Sequence, residues 1–562
     1  MSSAKAKELI PGEAYRALEC IVGPRYVTAN PAECQAYTGR GYMFEFFWFQ
    51  RVARRPAGII LPKTAEEVAR IIKVCNHYGI PYFPGSTFGW LPLSSTNLRD
   101  DFLVIDLKRM NNLEIDEKNM YAVFGSGVIY AHLQAEAMKR DLHTMLPSGG
   151  GGVGVVANQL SYGVGPLCYR ITTSSVRRMN GLEWVTPDGE IVRMGSLVNG
   201  DASGYWHGGL GPSLIGLLKG HSAWTGSMGV VTKMALKLYP FQPGRLEPEG
   251  IGCNTSVKLP SRMRWYNISF PSEEALQKAI QEIGEVQIAA YVNRVPAYMR
   301  EISKCRGDVE FRNMFWESWS KLSQETLGAI HVLRVLLIGY ASQQQLEYEE
   351  RVLMDIVNEN GGTPLRTRQS DEACFMYACA PDIWMATGSQ LLITVGHESL
   401  RCTFKLGEEF QRRWTKDYKE DCLDQYMEPP WYMPVDFGRI VYSECDGYYD
   451  SIRLDPDGSR YDDELVQRSQ QFFQSTIEAI EATVGWPSNY NSHKRCSYIS
   501  DAVYHNTPMW VQMFQKEFNP LGLSNTGFPY LGDKLTAVFP EMITPEVRET
   551  IERVKQGRWR GL

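Results

Sequence analysis

Apolar positions near the start of the chain recur first with a strand period and then with a helix period. Residues 59–61 form a short apolar run, and the next apolar positions have helical spacing: Val68, Ile71, Ile72 and Cys75. Thr64 followed by Glu67 makes a capping box, and Gly79 suits the end of a helix. Residues 80–83 form a second apolar run. This stretch is therefore predicted as a strand, a helix and a strand.

The pattern continues with short strands that are separated by turns and one helix. Residues 102–107 and 121–128 have strand character, and residues 130–140 have helical spacing. Residues 181–195 are predicted as a hairpin, because two alternating runs flank Pro187-Asp188-Gly189. The first 240 residues are thus predicted as an α+β unit.

Beyond residue 250 the pattern becomes richer in helix. Residues 241–250 contain proline, glycine and charge, which is typical of a linker. Four segments with helical periodicity follow, at residues 272–286, 342–362, 399–418 and 463–485. Strand-like runs at residues 391–397 and 438–445 separate them. The sequence therefore predicts a second, helix-and-sheet domain.

Composition and charge restrict the function. The chain is 44% hydrophobic and 22% charged, with a net charge of −6, as expected of a globular protein that does not bind nucleic acid. No apolar run is long enough to span a membrane, so we expect a cytoplasmic protein. The twelve cysteines include no C-x-x-C pair, which excludes the usual zinc, iron–sulfur and attached-haem motifs. We expect no metal, and redox chemistry would need an organic cofactor or a partner chain.

A glycine-rich run occupies residues 146–165. Gly149, Gly151 and Gly154 satisfy the G-x-G-x-x-G dinucleotide pattern, but residues 168–176 lack the carboxylate expected about 20 positions on. The run is unlike a flexible linker, because its glycines alternate with apolar residues. Bare backbone packed against a flat ligand is the favoured interpretation, since amide groups can then approach phosphate and carbonyl oxygens. A purely structural tight turn remains the alternative.

The order of three such segments carries a family resemblance. Residues 84–90 (PGSTFGW) follow the strand-helix-strand unit, residues 148–165 form the second run, and residues 228–232 (MGVVT) follow later. This order resembles the FAD-binding vanillyl-alcohol oxidase and p-cresol methylhydroxylase family. Residues 291–302 and 518–527 also resemble family segments.

The resemblance implies an α+β, two-subdomain FAD-binding fold of the p-cresol methylhydroxylase (PCMH) type with a helix-and-sheet cap. Residues 1–245 would form the first part of the FAD-binding domain, and residues 246–487 the cap or substrate domain. Residues 488–562 would return to complete the FAD domain and active site.

The resemblance also implies the residues that contact FAD. They are Pro84, Gly85, Ser86, Thr87, Phe88, Gly89, Ser148, Gly149, Gly152, Val153, Asn158, Ser161, Gly163, Gly229, Val230 and Val231. The family position for covalent attachment in the cap falls near Arg439, where Tyr442 is the nearby nucleophile, and Met145 and Leu146 stand where doubly linked relatives have cysteine. We expect non-covalent FAD, and a link through Tyr442 stays open.

Three catalytic candidates follow from the resemblance. Tyr490 matches a family tyrosine, but Asn491 stands in place of the family arginine, and Trp90 in place of a second tyrosine. Ser148 or Gly149 replaces the family aspartate. Tyr490 can donate a hydrogen bond, and His493 can act as a general base near neutral pH. The alternative is a packed Tyr490 and a surface His493.

The function implied is hydride transfer from an alcohol or phenolic substrate carbon to flavin N5, with reoxidation by oxygen or an electron carrier. The aromatic stripes that contain Trp384, Trp431 and Tyr432 favour a packed core, and the alternative is that these three residues line a pocket for a small, aromatic substrate. A protein electron acceptor and a homo-oligomer, as a dimer, are the expected partners.

Two other functions stay open at the level of sequence. A 2-hydroxy-acid dehydrogenase or an alkyl-dihydroxyacetone-phosphate-synthase-like flavoenzyme would need arginines, and Arg170, Arg177 and Arg178 are exposed candidates, with a solvated surface cluster as the equal alternative. A flavin-binding electron-relay subunit without its own substrate is the third possibility.

Overall fold

The computed structural model describes residues 10–37, 55–87, 101–144, 151–161, 169–170, 178–198, 214–219, 227–249, 256–294, 331–367, 369, 389–400, 403–405, 407–408, 431–449 and 507–525. Within these ranges the α-helices are Gly12–Val22, Pro31–Gln35, Ala65–Tyr78, Tyr130–Met138, Val155–Ser161, Ile215–Leu218, Glu273–Glu285, Gln343–Glu359 and Thr507–Phe518.

The described strands belong to three larger sheets and two strand pairs. The first sheet has the order Val27–Thr28, Gly58–Ile60, Leu103–Asp106, Tyr82–Gly85. The second sheet has the order Leu113–Asp116, Tyr121–Gly125, Val230–Lys237, Met179–Val185, Ile191–Gly195. The third, here called the cap sheet, has the order Thr363–Leu365, Met263–Ser269, Val332–Ile338, Tyr291–Arg294, Trp431–Val435, Ile440–Tyr449, Ser389–Ser399. The pairs are Leu142–His143 with Tyr239–Pro240, and Glu247–Glu249 with Ser256–Lys258.

The predicted strand-helix-strand unit is present, and both of its strands belong to the first sheet. Helix Ala65–Tyr78 begins after Thr64, whose side chain accepts a hydrogen bond from the Glu67 amide, and it ends at Gly79 with φ +67°. The Glu67 carboxylate reaches back to the Lys63 amide. The strands Gly58–Ile60 and Tyr82–Gly85 are not neighbours, because Leu103–Asp106 lies between them, parallel to both. The pattern along the chain contained no signal for that insertion.

The second sheet confirms the predicted hairpin. Met179–Val185 pairs with Ile191–Gly195, and Gly189 in the connecting turn has φ +86°. Trp184 is buried, and its indole N–H donates to the Met228 carbonyl. The hairpin therefore holds the start of the strand Val230–Lys237, which pairs with it along its length.

The cap sheet is antiparallel, and two different layers cover its faces. One face, here called the helix face, packs against helices Glu273–Glu285 and Gln343–Glu359 through Ile268, Val292, Val335 and their neighbours. The other face, here called the connector face, packs Trp265, Tyr291 and Leu336 against Phe241 and Leu246. The alternation of side chains along each strand separates the two cores.

The stretch predicted as a linker, residues 241–250, is packed rather than loose. Phe241 and Leu246 are buried in the connector-face core, and Glu247–Glu249 forms a strand with Ser256–Lys258. Proline and glycine shape the turns here, but the two apolar side chains decide the outcome, because burying them stabilises the joint.

The division of the chain into domains remains our proposal, with boundaries at residues 245 and 487. The described strands of the first two sheets lie before residue 245, and those of the cap sheet lie within 256–449. Tyr169 is an exception: it is buried in the helix-face core, and its hydroxyl donates to the Ile280 carbonyl. Residues 169–170 thus belong by contact to the cap, although they lie in the first domain by sequence.

The helices that the structure describes include none with both the length and the apolar character needed to cross a membrane. Within the same residues, histidine, cysteine and carboxylate side chains form no cluster suited to a metal ion.

Candidate functional site

The first predicted cofactor loop leaves the carboxyl end of the parallel strand Tyr82–Gly85. Gly85 lies opposite Asp106, the last residue of the neighbouring parallel strand. Ligands of open sheets with parallel strands bind beyond this edge. Ser86, the next residue, is buried, and its hydroxyl has no hydrogen-bond partner among the described residues. A buried hydroxyl of this kind is a ready donor or acceptor for a bound group.

A polar cluster lies at the same edge. The Asp106 carboxylate is fully buried, accepts a 2.6 Å hydrogen bond from the Tyr37 hydroxyl and lies 2.7 Å from Lys108 Nζ. Burial and the hydrogen bond to Asp106 raise the pKa of Tyr37 to about 12. The pKa of Lys108 is raised as well: burial opposes this, but the hydrogen bond to Asp106 prevails. The cluster therefore keeps a protonated phenol and a cation beside the loop at neutral pH.

The second glycine run meets the first loop directly. A Cβ atom at Gly154 would overlap the Ser86 hydroxyl and lie 3.6 Å from Thr87 Oγ1. The run is held from its other side by helix Tyr130–Met138, because the amides of Tyr130 and Ala131 donate to the carbonyls of Val153 and Gly151. Two predicted cofactor segments are thus in contact, and only glycine permits that approach.

The described part of the run carries a polar side chain with a fixed orientation. Asn158 is half-buried on helix Val155–Ser161, and its Oδ1 accepts a 2.9 Å hydrogen bond from the buried Tyr130 hydroxyl. The Gln159 amide in turn donates to the Tyr130 oxygen. Because its oxygen is engaged, the Asn158 side chain can offer a ligand its Nδ2 group.

The third predicted segment is tied into the protein through its backbone. Gly229 has φ +86°, and its amide donates to the Ser524 hydroxyl at 2.9 Å. The Val231 carbonyl accepts from the Ser126 hydroxyl. Val230 is buried in the core of the first sheet. These contacts fix the path of the segment at the junction of the first and second sheets.

The C-terminal residues close the junction from the other end of the sequence. Ser524 lies beside Tyr82 in a parallel bridge, and the Asn525 amide donates to the Tyr82 carbonyl at 2.8 Å. The Asn519 side chain donates to the carbonyls of Ser227 and Ser524. Residues 519–525 therefore join the first loop's strand to the MGVVT segment.

The remaining predicted residues divide into two groups. Pro84, Gly85, Gly152 and Val153 have described positions in the first two segments, and the Ser161 backbone ends its helix. Outside the described residues lie Phe88, Gly89, Trp90, Ser148, Gly149, Gly163, Tyr490 and His493. Arg177, Trp384, Met145 and Leu146 lie outside them as well. The roles assigned to all of these residues stay predictions.

Two of the predicted arginines are not exposed in the way the sequence suggested. Arg170 pairs with the buried Glu349 at 2.9 Å, so its charge is committed to the cap helix. Arg178 is 2% exposed, and its charge, together with burial, lowers the pKa of Lys219 to about 8, with burial the larger cause. The run of charged residues at 177–178 resembled a solvated surface, but the strand that begins at Met179 carries Arg178 inward.

Tyr432 lies in the core, as the favoured interpretation of its aromatic stripe predicts. It is buried in the helix-face core, where its ring packs against Phe404 and lies under the Arg294 guanidinium. It is therefore a core residue of the cap sheet. The backbone of Trp431 and Tyr442 lies in adjacent strands of the cap sheet.

Sequence reasoning missed Ser126, Tyr130, Asn519 and Ser524, which position the three segments. Their partners are 28 to 295 residues away along the chain. Residue spacing carries no information at such separations. The polar character of residues 518–527 was the one available signal.

His143, just before the second run, is a buried titratable group that the sequence did not single out. It is 1% exposed and packs against Phe241, Tyr239 and Tyr340, with ring centroids 5.5 to 6.4 Å away. Burial lowers the pKa of His143 to about 4. At mildly acidic pH the folded protein therefore keeps this imidazole neutral, whereas an exposed histidine would be charged.

This burial predicts a loss of stability in acid. Between pH 6.5 and 4 the unfolded chain binds the His143 proton and the folded chain does not, so this one group lowers the free energy of unfolding by about 3 kcal/mol across that window. His143→Leu should lose stability less steeply between those pH values, as measured by urea unfolding at several pH values. At pH 8 the imidazole is neutral in both the folded and the unfolded chain. The difference in the free energy of unfolding between the two proteins at that pH therefore measures the change in packing alone. Parallel pH profiles for the two proteins would contradict the assignment.

Comparisons with known proteins agree with this geometry. Residues 56–195 match the family described as FAD binding domain. A D-lactate dehydrogenase of Anaerostipes hadrus is 30% identical over 190 residues, which is 33% of this chain and 37% of that protein. The flavoprotein subunit of 4-cresol dehydrogenase (hydroxylating) of Pseudomonas putida is 27% identical over 202 residues, 34% of this chain and 37% of that protein. The chain thus matches little more than a third of the length of these relatives.

The structural comparison covers a longer part of the chain than the sequence matches do. The crystal structure of p-cresol methylhydroxylase with substrate bound superimposes with a TM-score of 0.71 and 16% sequence identity, covering 95% of this chain and 99% of that one. Similarity at this level of identity shows the fold. Residues 56–195 thus match an FAD-binding domain, and the chain has the mixed helix-and-sheet fold of p-cresol methylhydroxylase.

Proposed function

We propose that this protein is an FAD-dependent oxidoreductase that takes a hydride from an alcohol or phenolic substrate carbon. The observation that carries the proposal is the contact between Ser86 and Gly154, which joins two glycine-rich segments beside the edge of the first sheet. A cofactor that occupies this edge meets a buried hydroxyl, the Asn158 amide and bare backbone together.

The described residues fit FAD. Ser86 Oγ and Asn158 Nδ2 would hydrogen-bond to it, and the Lys108 cation lies at the same sheet edge and would favour the diphosphate. When bound, FAD accepts a hydride at its flavin N5 atom. We propose that it is held without a covalent bond, with Tyr442, in strand Ile440–Tyr449, as the one cap residue considered for a link.

The protein's own part in the reaction is to orient the substrate and to move a proton. We propose that Tyr490 donates a hydrogen bond to the substrate oxygen and that His493 accepts the hydroxyl proton. Trp90 would pack beside the reacting carbon. The negative charge that develops on the substrate oxygen requires such donors, because a buried oxyanion is costly without them.

A second candidate is oxidation of a 2-hydroxy acid. The relative from Anaerostipes hadrus, which matches 33% of this chain, is named a D-lactate dehydrogenase. That chemistry needs a cation for the substrate carboxylate. As further proposals, the protein is a cytoplasmic dimer, and its electrons pass to oxygen or to an electron-carrier protein.

The proposal is tested by anaerobic titration of the purified, FAD-loaded protein with alcohols, phenols and 2-hydroxy acids, followed by air. We expect one class to bleach the flavin absorbance near 450 nm. Tyr490→Phe and His493→Ala should each slow that bleaching at least about tenfold, since general acid–base groups contribute on this order or more. The controls Tyr348→Phe and His77→Ala remove the same groups from exposed helix positions.

A reduction of less than threefold in both variants would overturn the assigned roles. If the protein keeps its FAD but no compound bleaches the flavin absorbance, that result would instead favour an electron-relay subunit. Return of the yellow colour in air would identify oxygen as an acceptor.

A further inference from the structure

Two residues that follow the second glycine run, Tyr169 and Arg170, are here called the anchor pair. They lie inside the stretch that matches an FAD-binding domain, yet both bind to the cap. Tyr169 is fully buried in the helix-face core, and Arg170 pairs with the buried Glu349 at 2.9 Å. Residues 162–168 alone separate the anchor pair from helix Val155–Ser161. The chain that is proposed to contact FAD therefore enters the cap seven residues after that helix.

The backbone and the hydroxyl of Tyr169 are each held by a different part of the cap. The Tyr169 amide donates to the Ala290 carbonyl at 3.3 Å, and its carbonyl accepts from the Phe437 amide at 3.1 Å. Its hydroxyl donates at 3.0 Å to the Ile280 carbonyl in helix Glu273–Glu285. Buried polar groups are costly to leave without partners, so these three bonds fix the tyrosine within the cap.

Two glycines of the cap leave space for the tyrosine hydroxyl. A Cβ atom at Gly284 would lie 3.0 Å from the Tyr169 hydroxyl oxygen, and one at Gly438 would lie 2.8 Å from it. Non-bonded heavy atoms prefer separations of about 3.5–4.0 Å. A larger side chain at either position would therefore press on the tyrosine.

The two cap segments that bond to the Tyr169 backbone have unusual conformations. Gln287 and Ala289, in the segment that accepts from its amide, have φ +57° and +68°. Asp436 and Phe437, in the segment that donates to its carbonyl, have φ +50° and +58°. Residues other than glycine rarely adopt a positive φ, because the side chain then crowds the backbone. Such conformations persist where the surrounding structure fixes them, and they cluster at functional positions.

The second glycine run is also attached at its other end. The first two amides of helix Tyr130–Met138 donate to the carbonyls of Val153 and Gly151. The stretch from Gly151 through helix Val155–Ser161 therefore lies between one attachment to this helix and a second to the cap. A ligand binds more tightly to a segment that is already in the binding arrangement, because less ordering accompanies binding.

We propose that the anchor pair positions the second glycine run for FAD, so that the packing of the cap and the affinity for FAD are coupled. Tyr169 and Arg170 are positioning residues, because the cap encloses Tyr169 and both act through the run. The coupling is reciprocal: if the anchor pair raises the affinity for FAD by some factor, FAD must strengthen the contacts of the anchor pair by the same factor. This inference rests on the FAD binding in the proposed function.

The first test measures FAD affinity in variants of the anchor pair, by titrating protein freed of FAD with the cofactor and following flavin fluorescence. Tyr169→Phe removes the hydrogen bond to Ile280, and Arg170→Gln removes the cation from Glu349. We expect each variant to bind FAD at least about threefold more weakly, since a hydrogen bond lost from a buried site is worth roughly this factor. Arg170→Lys retains the charge and should restore part of the affinity.

Tyr266→Phe and Arg264→Gln are the matched controls. Both side chains bond to Glu350, the neighbour of Glu349 on helix Gln343–Glu359, but both come from a strand of the cap sheet itself. These variants lose the same kinds of bond and should lose comparable stability in urea. Their affinity for FAD should stay within twofold of the wild type, because no bond to the anchor pair is changed.

The second test follows the reciprocal effect by hydrogen exchange. The Phe437 amide, which donates to the Tyr169 carbonyl, reports on the anchor pair from within the cap. Adding FAD to the wild type should slow the exchange of the Phe437 amide at least about threefold. The slowing should be smaller in Tyr169→Phe and unchanged in Tyr266→Phe.

Weaker FAD binding in the anchor variants, together with slower exchange at Phe437, supports the proposal even if no compound bleaches the flavin. Equal FAD affinity in the anchor variants and the controls would show that the anchor pair serves the stability of the cap alone. Exchange at Phe437 that does not respond to FAD would contradict the coupling as well. Both of these results leave the proposed function intact, because the wild type still binds FAD. A wild type that binds no FAD overturns the proposed function and this inference together.

Discussion

Replacing Gly229 with alanine should lower the free energy of unfolding by roughly 2–5 kcal/mol. Gly229 has φ +86°, a conformation that costs an alanine about 1–2 kcal/mol. Its new Cβ would also overlap the Val185 carbonyl oxygen, which belongs to the backbone of the hairpin and cannot rotate away. Urea unfolding at pH 7.5, followed by tryptophan fluorescence, measures the change.

The matched control is Gly79→Ala. Gly79 ends helix Ala65–Tyr78 with φ +67°, but an added Cβ there meets no atom within 4 Å. Gly79→Ala should lower the free energy of unfolding only by the conformational cost, about 1–2 kcal/mol. The excess in Gly229→Ala is then the steric contribution of the hairpin. Equal losses in the two variants would show that the MGVVT segment is not packed against Val185 as described.

Replacing Gly154 with alanine should weaken FAD binding at least tenfold while the protein stays folded. The added Cβ would overlap the Ser86 hydroxyl and separate the first loop from the second run. Both segments meet beside the edge of the first sheet and outside its apolar core, so the cost falls on the proposed cofactor site more than on a core. The ratio of absorbance at 450 nm to that at 280 nm, and reconstitution with added FAD, measure the effect.

A double-mutant cycle makes this prediction specific. Ser86→Gly removes the overlapping atoms, so Gly154→Ala should cost much less FAD affinity in that background than in the wild type. Gly216→Ala, on helix Ile215–Leu218 with open space around it, should leave FAD binding unchanged. Additive losses in the Ser86 and Gly154 variants would mean that the two segments do not meet in the FAD-loaded protein.

Elements with local signals could be predicted closely from the sequence. Thr64 and Glu67 mark the start of a helix, and Gly79 marks its end, because capping depends on residues within one turn of each other. The hairpin around Gly189 is equally local. The order of the three glycine-rich segments also led to the FAD-binding fold, since each segment keeps its pattern when read alone.

The candidate site could be predicted only in part. Ser86, Asn158 and Gly229 stood in recognisable segments, but the partners that fix them, Tyr130 and Ser524, did not. Arg178 resembled a surface charge, although the following strand carries it inward. For Tyr432 the sequence favoured a core over a pocket, but not the helix face of the sheet, on which its strand places it. In each case the direction of a side chain depends on which face the rest of the protein covers.

The sequence by itself determined the ends of the capped helix, the hairpin around Gly189, the match to an FAD-binding domain and the absence of a long apolar segment in the given residues. Only the tertiary structure decided that Leu103–Asp106 lies between two earlier strands and that Tyr169 packs into the cap. Capping and turn signals act between residues a few positions apart, where chain connectivity already holds the partners together. Contacts across hundreds of residues form only when burial and hydrogen bonding outweigh the entropy of closing the chain, and that balance belongs to the whole fold.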